Sequence, residues 1–175
     1  PLYHLPYKNL INLQTRNIII NTNASKNESF TPHLTVATII EKDNKFLFVE
    51  EHAEGRVVLN QPAGHLETGE SLIDAAIRET HEETGWKIDI TGVLNINLYH
   101  SDHNNITYHR TTFIGKALTH DAEAKLDTGI IQALWLTLEE LNARKEDHRS
   151  PLVSLSIEQY LSEPHYPLAL VKDYR

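Results

Sequence analysis

Cysteine is missing from all 175 residues. Its absence excludes a disulfide framework, a thiolate zinc centre and a cysteine nucleophile, and it fits a reducing compartment, so a cytoplasmic location is expected. Methionine is missing too, and Pro1 stands first; typical usage would supply about three or four methionines. A processed or tag-derived start, or modified methionines left out of the written sequence, would account for this. No apolar run approaches the ~20 residues that span a bilayer, and no basic leader precedes an apolar stretch of signal-peptide type. No membrane partner is expected. Positive charge is scarce, with 16 Lys and Arg against 24 Asp and Glu and a formal net charge of -8. Proteins that track a nucleic-acid backbone show a basic face; no Lys/Arg cluster occurs here, so a nucleic-acid partner is not expected. An acidic protein that handles an anionic substrate needs a cation between the two.

What is present is globular composition, 40% apolar and 23% charged, enough for one ordinary domain and a short appendage. Residues 1–30 are Asn-rich, with one apolar run at Ile18-Ile19-Ile20 and two N-x-S sequons, at Asn23 and Asn27. They read as an extension of unknown role, and residues 31–175 as the domain. Strands are expected over 35–40 and 46–49, joined by a turn at Lys42-Asp43-Asn44-Lys45. A loop is expected over 60–69. A helix follows, with Ser71 as N-cap, Asp74 completing a capping-box variant and Gly85 as the C-terminal stop. Further strands are expected over 88–99 and 108–118, around a polar turn at 102–105, and a short one over 133–136. Thr137 with Glu140 caps a brief helix, and Ser150-Pro151 opens a last helix running to about residue 161. Strands interleaved with helices indicate an α/β layered architecture.

The chemistry concentrates on the central helix. Glu79, Glu82 and Glu83 are related by three and four residues, so their carboxylates crowd one side. Ile73, Ile77, Thr80 and Thr84 share another side, suited to packing on a sheet. Like charges at this spacing repel by a few tenths of a kcal/mol per pair, and Arg78 offsets only part of that. A hard cation with oxygen ligands is the natural compensation.

The stretch from Gly64 to Trp86 resembles the Nudix box, G-x5-E-x7-R-E-U-x-E-E-x-G-U, where U is a bulky apolar residue. Gly64, Glu70, Arg78, Glu79, Glu82, Glu83 and Gly85 fill all seven fixed positions. A chance match is on the order of one in a million at background frequencies. Thr80 departs from the first U position and Trp86 satisfies the second. The strings Pro32-His33-Leu34-Thr35-Val36-Ala37, Asn60-Gln61-Pro62-Ala63-Gly64-His65-Leu66-Glu67, Arg149-Ser150-Pro151-Leu152-Val153 and Tyr166-Pro167-Leu168 are similar to the phosphatase NudJ branch of Nudix hydrolases.

The resemblance implies an α/β fold, a Nudix-type α/β/α sandwich with a mixed sheet, monomeric or homodimeric. It implies an Mg²⁺-dependent hydrolase, with Mn²⁺ as an alternative ion, acting on small organic phosphates. Nucleoside di- and triphosphates, hydroxymethylpyrimidine pyrophosphate and thiamine pyrophosphate are the implied substrates. A selective nucleotide or nucleotide-sugar pyrophosphatase and a non-catalytic nucleotide sensor are the competing readings. Glu79, Glu82 and Glu83 become the metal-binding set, and Glu79 also a candidate to deprotonate water. Glu70 and Arg78 are expected to pair and hold the loop on the helix, while Gly64 and Gly69 permit its tight backbone. Glu123 and Asp127 are candidates for a further acidic group. Arg110 and Arg149 could contact phosphate, each with a surface salt bridge as its alternative role. His65 could contact substrate or position the loop, as could His33. His100 and His103 are expected on the surface. Tyr99 and Tyr108 could stack a substrate ring, whereas Trp135 fits an aromatic core better.

Overall fold

The computed structural model describes residues 30–53 and 55–175. The expectations for residues 1–29, including the Ile18-Ile19-Ile20 run and both sequons, lie outside the described residues. Strand β1 (His33–Lys42) buries six consecutive residues, from Thr35 to Ile40, because both of its faces are covered. Period-two geometry sends Val36 and Ile40 to one face and Ile39 to the other. A two-residue turn follows, with Asp43 and Asn44 at φ 53 and 60, the left-handed geometry that tight hairpins favour. It leads into β2 (Lys45–Ala53), where Leu47 joins the first face and Phe46 and Phe48 the second.

Next come β3 (Arg56–Asn60), β4 (Ala63–His65) and helix α1 (Leu72–Thr84). A long hairpin of β5 (Trp86–Ser101) and β6 (Ile106–His120) precedes β7 (Ile130–Leu136). Helices α2 (Leu138–Ala143) and α3 (Leu152–Ser162) and the short β8 (Tyr166–Pro167) complete the order. The strands form one mixed sheet, ordered β3-β2-β1-β6-β5-β8, with β4 added to β1 and β7 to β2. Among the described strands, only β1 and β6 pair in parallel; the other strand pairs are antiparallel. β2 leaves β1 after Glu41↔Phe46 and Lys42↔Lys45, and β4 takes its place along Thr35, Val36 and Ala37. The expected 60–69 loop thus contains a strand. Three residues are too few to show periodicity, and only pairing with β1 makes them extended.

The expected central helix is present with its caps. Ser71 Oγ accepts the Asp74 N–H at 3.0 Å, Asp74 Oδ2 accepts the Ser71 N–H at 3.3 Å, and Gly85 closes the helix at φ 69. Its buried face differs from expectation. Ala75, Ala76, Thr80 and Thr84 are buried with Glu79 and Glu83, while Ile73 and Ile77 are only partly buried at the margin. The alanines let the helix axis approach the sheet, where isoleucines would hold it off. Thr80 at the departing box position fits here: its hydroxyl donates to the Ala76 carbonyl at 2.7 Å and faces Thr38 at 3.3 Å.

On the opposite face, Leu141 of α2 and Val153 and Ile157 of α3 pack with Ile39, Phe46, Phe48, Leu94 and Ile114. Helices on both faces make the expected α/β/α sandwich. Among the described residues, no helix is long and apolar enough to cross a membrane.

Candidate active site

Helix α1 presents its carboxylates to the β4 edge, and Arg78 organises them. Arg78 Nε and Nη2 donate to the two oxygens of Glu70 at 3.0 and 2.7 Å, the expected loop-to-helix pair. Nη2 also donates to the His65 carbonyl at 3.0 Å, and Nη1 to Glu79 and Glu82 at 2.9 Å each. One planar fork therefore ties the loop, β4 and two box glutamates together. The guanidinium holds Glu70 below the usual carboxylate range, an effect the Glu67 N–H reinforces.

Glu79 and Glu83 are 9% and 8% exposed. Burial pushes Glu79 above its ordinary value despite Arg78. Burial pushes Glu83 further, to about 8, although the Ala63 N–H donates to its Oε2 at 2.9 Å. Glu51 and Glu79 add repulsion at Glu83. Two carboxyls kept out of water and above their normal pKa gain stability when a cation arrives.

Asp127 completes the cluster. One carboxylate oxygen from each of Glu79, Glu82 and Asp127 lies within 4.8 Å of the others. The Asp127 N–H donates to the Glu82 carbonyl at 3.0 Å, which brings the loop before β7 against the helix. Glu83 stands beside this trio, its carboxylate turned to β4. Glu123 is exposed and receives no place in the cluster; its N–H turns back to Asp121. The oxygen-only donor set, with one exposed member, suits a hard divalent ion that retains some of its waters.

A cleft opens on the α3 side, lined by Thr35, Asn60, Gly64, Tyr108, Arg110 and Arg149 among others. Thr35 sits opposite both His65 and Arg110, so β4, β1 and β6 form its floor. His65 and Tyr108 line it, and the ring centroid of His33 is 5.4 Å from His65 and 5.8 Å from Tyr108. Burial, and after it the nearby His33 and Arg149, lowers the His65 pKa. Tyr99 also lines the cleft, whereas Trp135 packs edge-on against Trp86 at 5.5 Å. His100 and His103 are exposed.

The two arginines differ. Arg149 does make a salt bridge, its Nη1 2.8 and 2.9 Å from the oxygens of Glu51. Arg110 does not take the alternative role of a surface salt bridge: it is 7% exposed and bonds neutral Gln61. Glu51, Asn60 and Gln61 were not singled out from the sequence. Glu51 had a usable signal, a charge at an inward-facing position of β2.

A NUDIX domain model matches residues 31–155. The chain belongs to the Nudix hydrolase family. It is 36% identical to the phosphatase NudJ of Escherichia coli (strain K12) over 150 residues, covering 83% of this chain and 94% of that protein. The NudJ phosphatase of Shigella boydii serotype 4 (strain Sb227) matches to the same extent. A solved structure of a NUDIX hydrolase from Nitrosomonas europaea superposes with a TM-score of 0.81 at 44% identity, covering 82% of this chain and 98% of that one. Enzymes of this family generally use divalent metals and act on small phosphate-containing substrates, and this chain has a partly buried acidic cluster.

Proposed function

We propose that this hydrolase uses Mg²⁺, or Mn²⁺ in its place, to cleave the pyrophosphate linkage of small organic di- and triphosphates. Nucleoside di- and triphosphates, hydroxymethylpyrimidine pyrophosphate and thiamine pyrophosphate are the substrates proposed, by its likeness to the NudJ phosphatases. The observation that carries the reading is the convergence of Glu79, Glu82 and Asp127 beside a cleft that also holds two arginines.

Glu79, Glu82 and Asp127 would hold the ion, with Glu83 behind them. When bound, the ion neutralises phosphate oxygens and lowers the pKa of water. The protein supplies the rest. Arg78 fixes the glutamates from behind and keeps the loop on α1. Glu79, buried and above the ordinary carboxylate range, is the proposed acceptor of the proton from the attacking water. Tyr99, Tyr108 and His65 form the wall on which the organic part of the substrate would rest.

The test is phosphate or pyrophosphate release from a panel of nucleotides, nucleotide sugars and thiamine-pathway pyrophosphates, with Mg²⁺ and with chelator. Release from di- and triphosphates only with the ion is expected. Turnover confined to nucleotide sugars, or undiminished in chelator, would overturn the proposal.

A further inference from the structure

Arg110 is a buried cation that no carboxylate hydrogen-bonds among the described residues. On β6 it lies opposite Thr35 of β1 and Asn97 of β5, and it lines the cleft with only 7% of its surface exposed. Its Nη2 donates to Gln61 Oε1 at 3.2 Å. Its Nε is buried without a hydrogen-bond partner among the described residues. Buried polar groups are satisfied in nearly every folded protein, and an orphaned one calls for an explanation. A buried charge without a counter-charge is costlier still.

The neutral partner is itself held in place. Gln61 is fully buried, and its Nε2 donates to the Val153 carbonyl at 2.9 Å. That bond fixes the amide so that its oxygen faces the guanidinium. Arg149 shows the contrast, since it lies in the same cleft and is paired with Glu51. Glu51 and Glu83 reach Arg110 only through space, and Arg149 opposes them. Among the described residues, two arginines line one cleft, and Arg149 has a carboxylate in hydrogen-bond contact while Arg110 does not.

We propose that Arg110 is a phosphate-binding residue of this cleft, and that Gln61 is its positioning residue, neutral so that the guanidinium charge stays available to the substrate. The inference rests on the hydrolytic reading above and adds a second anchor to it. The acidic cluster serves the phosphate that reacts, and Arg110 takes phosphate oxygens deeper in the cleft. A bidentate guanidinium suits tetrahedral oxyanions. Glutamate at position 61 would be nearly isosteric and would occupy the guanidinium with a carboxylate. Gln61→Glu should therefore disable the anchor, and it also gives up the bond to the Val153 carbonyl.

Nuclear magnetic resonance of the ¹⁵N-labelled protein tests this without metal. The Arg110 Nε–H signal is assigned by its loss in Arg110→Lys, and inorganic pyrophosphate is titrated in chelator. The signal should move saturably in the wild-type protein. Gln61→Glu should weaken that binding about tenfold or more, the range of one charge-assisted hydrogen bond. With metal present it should raise KM by a similar factor, change kcat little, and leave Mn²⁺ affinity unaltered. Should Gln61→Glu fail to fold, Arg110→Lys retains the charge without the fork and should show the same rise in KM with metal present, since it has no Nε–H signal to follow. An Arg110 signal that stays still at saturating pyrophosphate, or a folded Gln61→Glu that binds as the wild type does, overturns the inference. Turnover with a silent Arg110 signal rejects this anchor alone; a moving signal without turnover of any substrate upholds the anchor and rejects the hydrolytic reading.

Discussion

Gly64 and Glu79 meet where no side chain could stand between them. A Cβ placed on Gly64 would fall 2.1 Å from the Glu79 carboxyl carbon. The box glycine therefore leaves the space that the Glu79 carboxylate occupies, and a larger residue there would displace that carboxylate.

Gly64→Ala should push the Glu79 carboxylate out of position while the helix remains. A displacement of about 1 Å at a reacting group costs on the order of 100-fold in rate. The expected result is a kcat at least about 100-fold lower, with weaker Mn²⁺ uptake and an unchanged far-ultraviolet circular dichroism spectrum. Wild-type turnover in this variant would show that Glu79 is not needed where it stands.

Glu83→Gln removes a carboxylate that is buried beside the cluster and fixed by the Ala63 N–H. Loss of one preorganised electrostatic group costs roughly 3 kcal/mol of transition-state stabilisation or more, about 100-fold in rate. Steady-state kinetics on folded protein should show it. Near-normal turnover would remove Glu83 from the machinery.

The same residue sets a pH dependence of stability in chelator. Its folded pKa, about 8, lies above the ordinary 4.5, so the folded state binds more protons than the unfolded state between those values. Stability falls with rising pH wherever that holds. The Glu83 contribution is fully present below about pH 4.5 and lost as pH rises through about 8. Thermal melts of the metal-free protein should show Glu83→Gln equal to wild type below about pH 4 and more stable above about pH 8. An identical difference at both pH values would mean that Glu83 does not titrate in this window.

Asp127 and Glu123 lie in one loop and should behave differently. Asp127→Asn should weaken Mn²⁺ binding about tenfold or more, since even partners behind a ligand contribute that much. Glu123→Gln, outside the cluster, should leave it unchanged. Calorimetric titration distinguishes them, and equal effects would discard the Glu79–Glu82–Asp127 grouping.

Local rules made much of this legible beforehand. Ser71, Asp74 and Gly85 marked the ends of α1 because capping depends on neighbours three or four residues away. The β5–β6 hairpin was visible for a similar reason: β5 alternates along part of its length and the turn is polar. Strand β4 was not visible, because it has no periodicity of its own. The role of Ala75 and Ala76 was missed because hydrophobicity alone favours isoleucine, whereas the sheet surface required closeness.

By itself the sequence determined the spacing of the box, hence which carboxylates share a helix, and a charge balance that calls for a cation. Helical geometry converts spacing into direction, so no tertiary information was needed for that. Only the folded chain decided that Asp127 rather than Glu123 joins Glu79 and Glu82, that Glu83 turns to Ala63, and that Arg149 is paired while Arg110 is not. These are contacts between residues tens of positions apart, and burial and partner choice at such distances depend on how the layers close.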